Sequence, residues 1–195
     1  MIVIFLFCFV SKFDTHKLLH QRYFISACNN PKLDDLSRVR LEASSELNSS
    51  FAIDQIKTKD SLPWISNDVN ETSPKEWITF TFNQEELVTG FRFKLHQNFQ
   101  NGFTSYWFHY GISQDGQETI WNIVSQGQVK HDGSNWTEIN LMRYVPFNYI
   151  KSKYYRLEIM GDGKKPISIG QLQLKVCSGT HEYKYLSYFS KLLMK

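Results

Sequence analysis

The chain is 195 residues long, 42% hydrophobic and 15% aromatic. That is enough for one substantial packed domain with tails, and it excludes a wholly disordered chain. The formal charge of +3, from 22 basic and 19 acidic side chains, is too small and too scattered for the basic stripe of a nucleic-acid binder, so no nucleic-acid partner is expected.

Ile2 to Val10 is an unbroken apolar run. It has the length of a signal-peptide hydrophobic region and falls well short of the ~20 residues a membrane helix needs. No basic residue precedes it, and Ile25-Ser26-Ala27, the nearest small-residue cleavage pattern, lies far downstream. Residues 1–27 are therefore read as a secretory leader with its flank, against the alternative of a misassigned start or a buried strand. Cys8 lies inside the run, so removal of the leader leaves two cysteines, Cys28 and Cys177. Asn-x-Ser/Thr triplets at Asn48, Asn70 and Asn135 are glycosylation acceptors in an exported protein.

Asn29-Asn30-Pro31 interrupts the chain, and apolar alternation begins near Val39. Ile78, Phe80 and Phe82 alternate with Trp77, Thr79 and Thr81, the period-two pattern of a strand with one buried face. Phe91, Phe93 and Leu95 repeat it, and Phe108, Tyr110 and Ile112 carry it to Asp115-Gly116, a tight-turn dipeptide. Trp121, Ile123, Trp136, Ile139 and Leu141 mark further strands, followed by Tyr155, Leu157 and Ile159. After a Gly161-Asp162-Gly163 turn, Leu172, Leu174 and Val176 alternate with Gln171, Gln173 and Lys175. About eight short strands with turn chemistry between them and no long helical period predict an all-β antiparallel sandwich or jelly roll. The domain spans residues 28–177, with a tail at 178–195 whose Leu186, Phe189 and Leu193 fall at helical spacing.

Several short motifs appear in order along this pattern. They are Ala43-Ser44-Ser45, Ala52-Ile53-Asp54, Trp64-Ile65-Ser66, Glu76-Trp77-Ile78-Thr79-Phe80, Val88-Thr89-Gly90-Phe91, Ser113-Gln114-Asp115-Gly116 with Trp121, Tyr154-Tyr155-Arg156-Leu157 and Ile169-Gly170-Gln171-Leu172-Gln173-Leu174. In order and spacing the chain resembles a coagulation factor 5/8 type C domain, or discoidin domain, with a galactose-binding-like jelly roll. It departs from that pattern at Gln55, where glycine is usual, in the long segment from Asp54 to Trp64, at Gln171 in place of a glutamate, and at Val176 in place of a glycine.

The resemblance implies adjacent termini and hence a Cys28–Cys177 disulfide, with two buried free thiols as the alternative. It implies a ligand site in loops at one barrel end, here 46–51, 65–75 and 97–106. Asn98, Phe99, Phe103, Tyr106 and Trp64 are the candidate ligand contacts, since amides orient a sugar while rings cover its apolar face. Phe99 and Phe103 with Lys75 suit an anionic phospholipid surface as the second reading. The family's calcium loop makes Asp54 the candidate ligand of a structural calcium ion, but Gln171 supplies only a neutral carbonyl, and an Asp capping its own turn is the competing reading. No cofactor is required.

No local catalytic motif is present. His16 and His20 have i, i+4 spacing without the intervening glutamate of a zinc protease, Gly111 to Gly116 is not a nucleophile elbow, and Gly161 to Lys165 is not a phosphate loop. Arg156 falls on a central strand and is read as a buried, charge-paired structural residue. The expectation is a secreted, non-catalytic recognition domain for a cell-surface or matrix carbohydrate or glycoprotein. A hydrolytic enzyme is the third reading.

Overall fold

The computed structural model describes residues 31–59, 61–67, 75–113, 119–131, 135–141, 151–163 and 165–177. The leader, Cys28, Asp60, Asn70, the Asp115-Gly116 turn and the tail lie outside them. In chain order the strands are β1 (Lys32–Asp34), β2 (Arg40–Ala43), β3 (Trp64–Ile65), β4 (Lys75–Lys94), β5 (Ser105–Ile112), β6 (Ile120–Gln128), β7 (Thr137–Asn140), β8 (Ser152–Met160), β9 (Ser168–Ile169) and β10 (Gln171–Cys177). Two 3-10 turns, Ser49–Phe51 and Ile53–Lys57, lie between β2 and β3.

All strand pairs are antiparallel, and β4 is the spine. Its first half pairs with β2 and β8, and β8 continues through β5 to β6. Its second half pairs with β10 and β7, and β10 carries β1 on its far side. The alternation in the sequence suggests two strands, one over Ile78 to Phe82 and one over Phe91 to Leu95. Instead a single 20-residue strand runs through both layers, with a register irregularity between Thr81 and Glu86. Exposed Asn83, Gln84 and Glu85 occupy the bend. The Tyr155 hydroxyl holds it by donating to the Glu86 carbonyl at 2.7 Å. A bulge of this kind lets one strand change layers without leaving its pairings.

The two inner faces meet through aromatic rings. Phe91 of one layer stacks on Phe108 of the other at 5.6 Å and meets Tyr106 edge-on at 5.5 Å, while Phe82 meets Tyr155 edge-on at 5.9 Å. Ile78, Phe80, Leu157, Ile159, Leu172 and Leu174 fill the same interior, as the alternation predicts. Two positions depart from it. Ile112 ends β5 beyond the edge of the core and is exposed, and Ile123 points away from it on β6.

The outer face of the β4–β8–β5–β6 layer is also structured. Arg156 is half-buried with its guanidinium between two indoles, 4.7 Å from Trp77 and 4.2 Å from Trp121, and Lys75 lies 4.2 Å from the Trp107 ring. Two indole faces cover the Arg156 cation, which is half-buried as a structural residue of this layer. His109 is buried beside Glu158 on this face, at 3.6 Å, too far for a hydrogen bond. Desolvation pushes the His109 imidazole below the ordinary histidine value, against the pull of the Glu158 carboxylate.

Candidate functional site

The loop between β4 and β5 is tied by several hydrogen bonds. Phe99 N–H donates to the His96 carbonyl at 3.0 Å, Asn98 N–H to the His96 ring Nδ1 at 3.2 Å, and Gly102 N–H to the Gln100 carbonyl at 3.1 Å. Ser168 of β9 clamps it from outside, its hydroxyl donating to the Phe99 carbonyl at 2.7 Å and its N–H to the Asn101 carbonyl at 2.7 Å. Farther on, Thr104 N–H bonds the Met160 carbonyl at 2.8 Å, and the His131 ring Nε2 bonds the Phe103 carbonyl. These bonds, within the loop and to Ser168, Met160 and His131, hold its backbone in place and leave the Asn98 side chain exposed.

A second loop, between β2 and the first 3-10 turn, stands beside it. Glu76 is buried at the start of β4 and accepts from the hydroxyls of Ser44 and Ser45, the latter at 2.9 Å. Glu46 accepts from Ile53 N–H at 2.8 Å, and Leu47 N–H bonds the Ile65 carbonyl at 2.9 Å. Phe51 at the end of this segment meets Phe99 edge-on at 5.7 Å, and His96 lies 5.5 Å from Phe99 on another side. Phe99 is thus half-buried between Phe51 and His96, and Asn98 beside it is exposed.

Against the outer side of this loop lies a cleft of about 280 Å³ lined by Ser61, Lys94, His96, Gln97, Gly170 and Gln171, together with Leu95. Gly170 is required here, because a Cβ on it would stand 2.7 Å from the His96 amide nitrogen. Lysine, imidazole and two amides converge on the opening.

Of the five expected ligand contacts, Asn98 and Phe99 lie on this rim and three do not. Trp64 is fully buried, with its indole N–H donating to the Ser45 carbonyl at 3.0 Å. Phe103 is fully buried, 4.4 Å from Phe93, and Tyr106 packs under Phe91 with its hydroxyl 3.1 Å from that of Ser125. Trp64, Phe103 and Tyr106 are corrected to packing residues, because a ring with no accessible face cannot stack on a ligand. Phe51 and His96 are rim residues that were not singled out from the sequence. An aromatic ending a serine-rich polar run and a histidine continuing the outward register of β4 were the available signals.

Asp54 is exposed and its carboxylate is paired with Lys57 at 2.7 Å. Ser61 donates its hydroxyl to the Gln55 carbonyl at 2.6 Å, and Gln171 lines the cleft as a neutral amide. Among the described residues no group of three or more His, Cys, Asp or Glu side chains is placed to hold a metal.

No family model matches the chain, and no curated protein matches it. Solved structures do. The family 32 carbohydrate-binding module of NanJ from Clostridium perfringens, solved with galactose, aligns at a TM-score of 0.56 and 14% identity, covering 73% of this chain and 96% of that one. A family 32 module from the same organism, solved with GalNAc-β-1,3-galactose, aligns at 0.54 and 19% identity over 74% and 99%. An F5/8 type C domain from Bacteroides fragilis aligns at 0.59 and 13% identity over 75% and 97%. The chain shares their fold. It is an antiparallel, galactose-binding-like β-sandwich, as the order of the sequence motifs implied, and the similarity spans nearly the whole of each neighbour.

Proposed function

We propose that this chain is an exported, non-catalytic recognition domain that binds a carbohydrate, free or on a glycoprotein, at a cell surface or matrix. The binding surface is the rim formed by Phe51, His96, Asn98 and Phe99. The single observation that carries the reading is the frame under Phe99, in which two hydrogen bonds from Ser168 and an edge contact from Phe51 hold an aromatic ring beside an exposed amide. A ring for the apolar face of a pyranose and an amide for its hydroxyls, both fixed before binding, reduce the ordering cost of a weakly hydrophobic ligand. The shared fold of carbohydrate-binding modules solved with galactose and GalNAc-β-1,3-galactose supports the ligand class.

Export is supported by the exposed positions of Asn48 and Asn135. Cys177, buried next to Leu87 at the end of β10, carries the disulfide that export allows. Cys28 is the partner in this reading. The test is a glycan array with the intact chain beside the Phe99→Ala and Asn98→Ala variants. Retention of galactosyl or N-acetylgalactosaminyl glycans that both variants weaken supports the reading, and binding untouched by both overturns the rim. Exposed Leu47, at 40% on the neighbouring loop, is the apolar side chain a membrane surface would use, so phosphatidylserine vesicles form the second arm.

A further inference from the structure

On the outer face of the β10–β4–β7 layer, antiparallel register sets side chains in rows across three strands. Gln171 lies opposite Lys94, with Trp136 just ahead of β7 on the far side. In the next row Gln173 and Glu138 both lie opposite Arg92. Arg92 donates its Nε–H to the Gln173 side-chain oxygen at 2.7 Å and lies 4.4 Å from the Trp136 ring, and the Lys94 ammonium is 5.7 Å from the same ring. Both cations are held in place, and Lys94 also lines the cleft beside His96.

The one acid in these rows is drawn elsewhere. Glu138 faces Arg92 in register, yet its carboxylate is bonded to Lys175 at 2.5 Å. Gly90 allows the crossing, since a Cβ there would stand 3.0 Å from the Lys175 side chain and 2.7 Å from the Ile139 carbonyl. Among the described residues Arg92 and Lys94 make no ion pair with a carboxylate, and no aspartate or glutamate lines the cleft. Two oriented cations, two amides and an imidazole therefore lead from the cleft down the sheet. Outward positions on one strand repeat about every 7 Å, so the two cations stand in line along β4.

We infer that this face is a subsite for an acidic polysaccharide, with Lys94 and Arg92 taking its carboxylate or sulfate groups while Gln171 and Gln173 bond its hydroxyls. The inference deepens the carbohydrate reading and depends on it only for the class of ligand. Lys94, Arg92, Gln171 and Gln173 lie off the Phe99 rim, and His96 is the residue the two surfaces share.

The experiment is calorimetry of the intact chain with polygalacturonate and heparin, each beside its carboxyl-reduced or desulfated counterpart, with a neutral galactosyl oligosaccharide as control. The acidic polymers should bind at least roughly tenfold more tightly than their neutralised forms, the scale of one charge-assisted hydrogen bond. Lys94→Gln and Arg92→Gln should each weaken them by about tenfold, with the loss shrinking as salt rises, and Lys94→Arg should retain binding. Arg92 lies outside both the cleft and the rim, so Arg92→Gln should leave binding of the neutral oligosaccharide unchanged. Equal affinity for acidic and neutralised polymers, or acidic binding unchanged in both Gln variants, would overturn the inference. So would phosphatidylserine vesicles being the sole anionic ligand retained. Loss of the neutral oligosaccharide in Phe99→Ala with the acidic arm intact reports on the rim alone, which keeps the two readings distinguishable.

Discussion

Trp121 covers Arg156 across an intervening strand, with the guanidinium carbon 4.2 Å from the indole centroid. Trp121 is on β6 and Arg156 on β8, and β5 between them contributes Gly111, paired in register with Trp121 on one side and Tyr154 on the other. A side chain at that position would fill the path of the indole. The outer face of this layer therefore owes its order to a position where the sequence places nothing.

Gly111→Ala should destabilise the fold by about 1–3 kcal/mol, the range for overpacking a filled site. Its Cβ would lie 2.6 Å from Thr119, 2.9 Å from Tyr154 and 3.0 Å from Trp121. Denaturant titration should show a lower midpoint with an unchanged slope. Tryptophan fluorescence should shift as Trp121 leaves Arg156. An unchanged midpoint would refute the packing argument.

Replacing Phe103 and Phe99 separates packing from binding. Phe103→Ala removes a fully buried ring between Phe93 and His131 and should cost about 3–5 kcal/mol of stability. Phe99→Ala removes a half-buried ring; it should cost less than half as much and weaken glycan binding. Equal stability losses would contradict the placement of the two rings.

Stability should fall as the solution is acidified below about pH 6.5. Desolvation depresses both His109 and His131 below their ordinary value of 6.5, so the unfolded chain takes up protons at these sites before the folded one does. Stability from this source is full above the unfolded value and is lost as pH falls from 6.5 toward the folded values. Chemical denaturation at pH 7.5, 6 and 5 should show the decline, and His131→Gln should flatten it. A pH-independent midpoint across that span would exclude the mechanism.

Tyr155→Phe should cost about 1–3 kcal/mol by leaving the Glu86 carbonyl without its partner at the bend of β4. Burial raises the Tyr155 phenol far above the usual tyrosine range, so the hydroxyl remains a donor at any working pH. A midpoint equal to that of the parent protein would mean the bend does not depend on this bond.

Period-two alternation is a local property, and it made the faces of the strands legible. Ile78 and Phe80, Leu157 and Ile159, and Leu172 and Leu174 all point inward as their spacing requires. The ordered motifs and turn residues were enough for an all-β sandwich. The same local signal could not tell whether the 77–82 and 91–95 runs were two strands or one bent strand, because both readings share every inward position.

Loop composition was a poorer guide. Gln97, Asn98 and Asn101 do mark an exposed turn, yet Phe99 and Phe103 look alike in it. Only the approach of Phe93 and His131, distant in sequence, puts Phe103 in the core and leaves Phe99 on the rim. Lys94, Arg92, Gln171 and Gln173 form one face for a similar reason: β4 and β10 are joined by pairings between residues about 80 positions apart. The sequence by itself determined which side of each strand is apolar, since that follows from the residue and its neighbours. The tertiary structure decided which aromatic rings and cations meet, since that depends on register between segments that no local pattern connects.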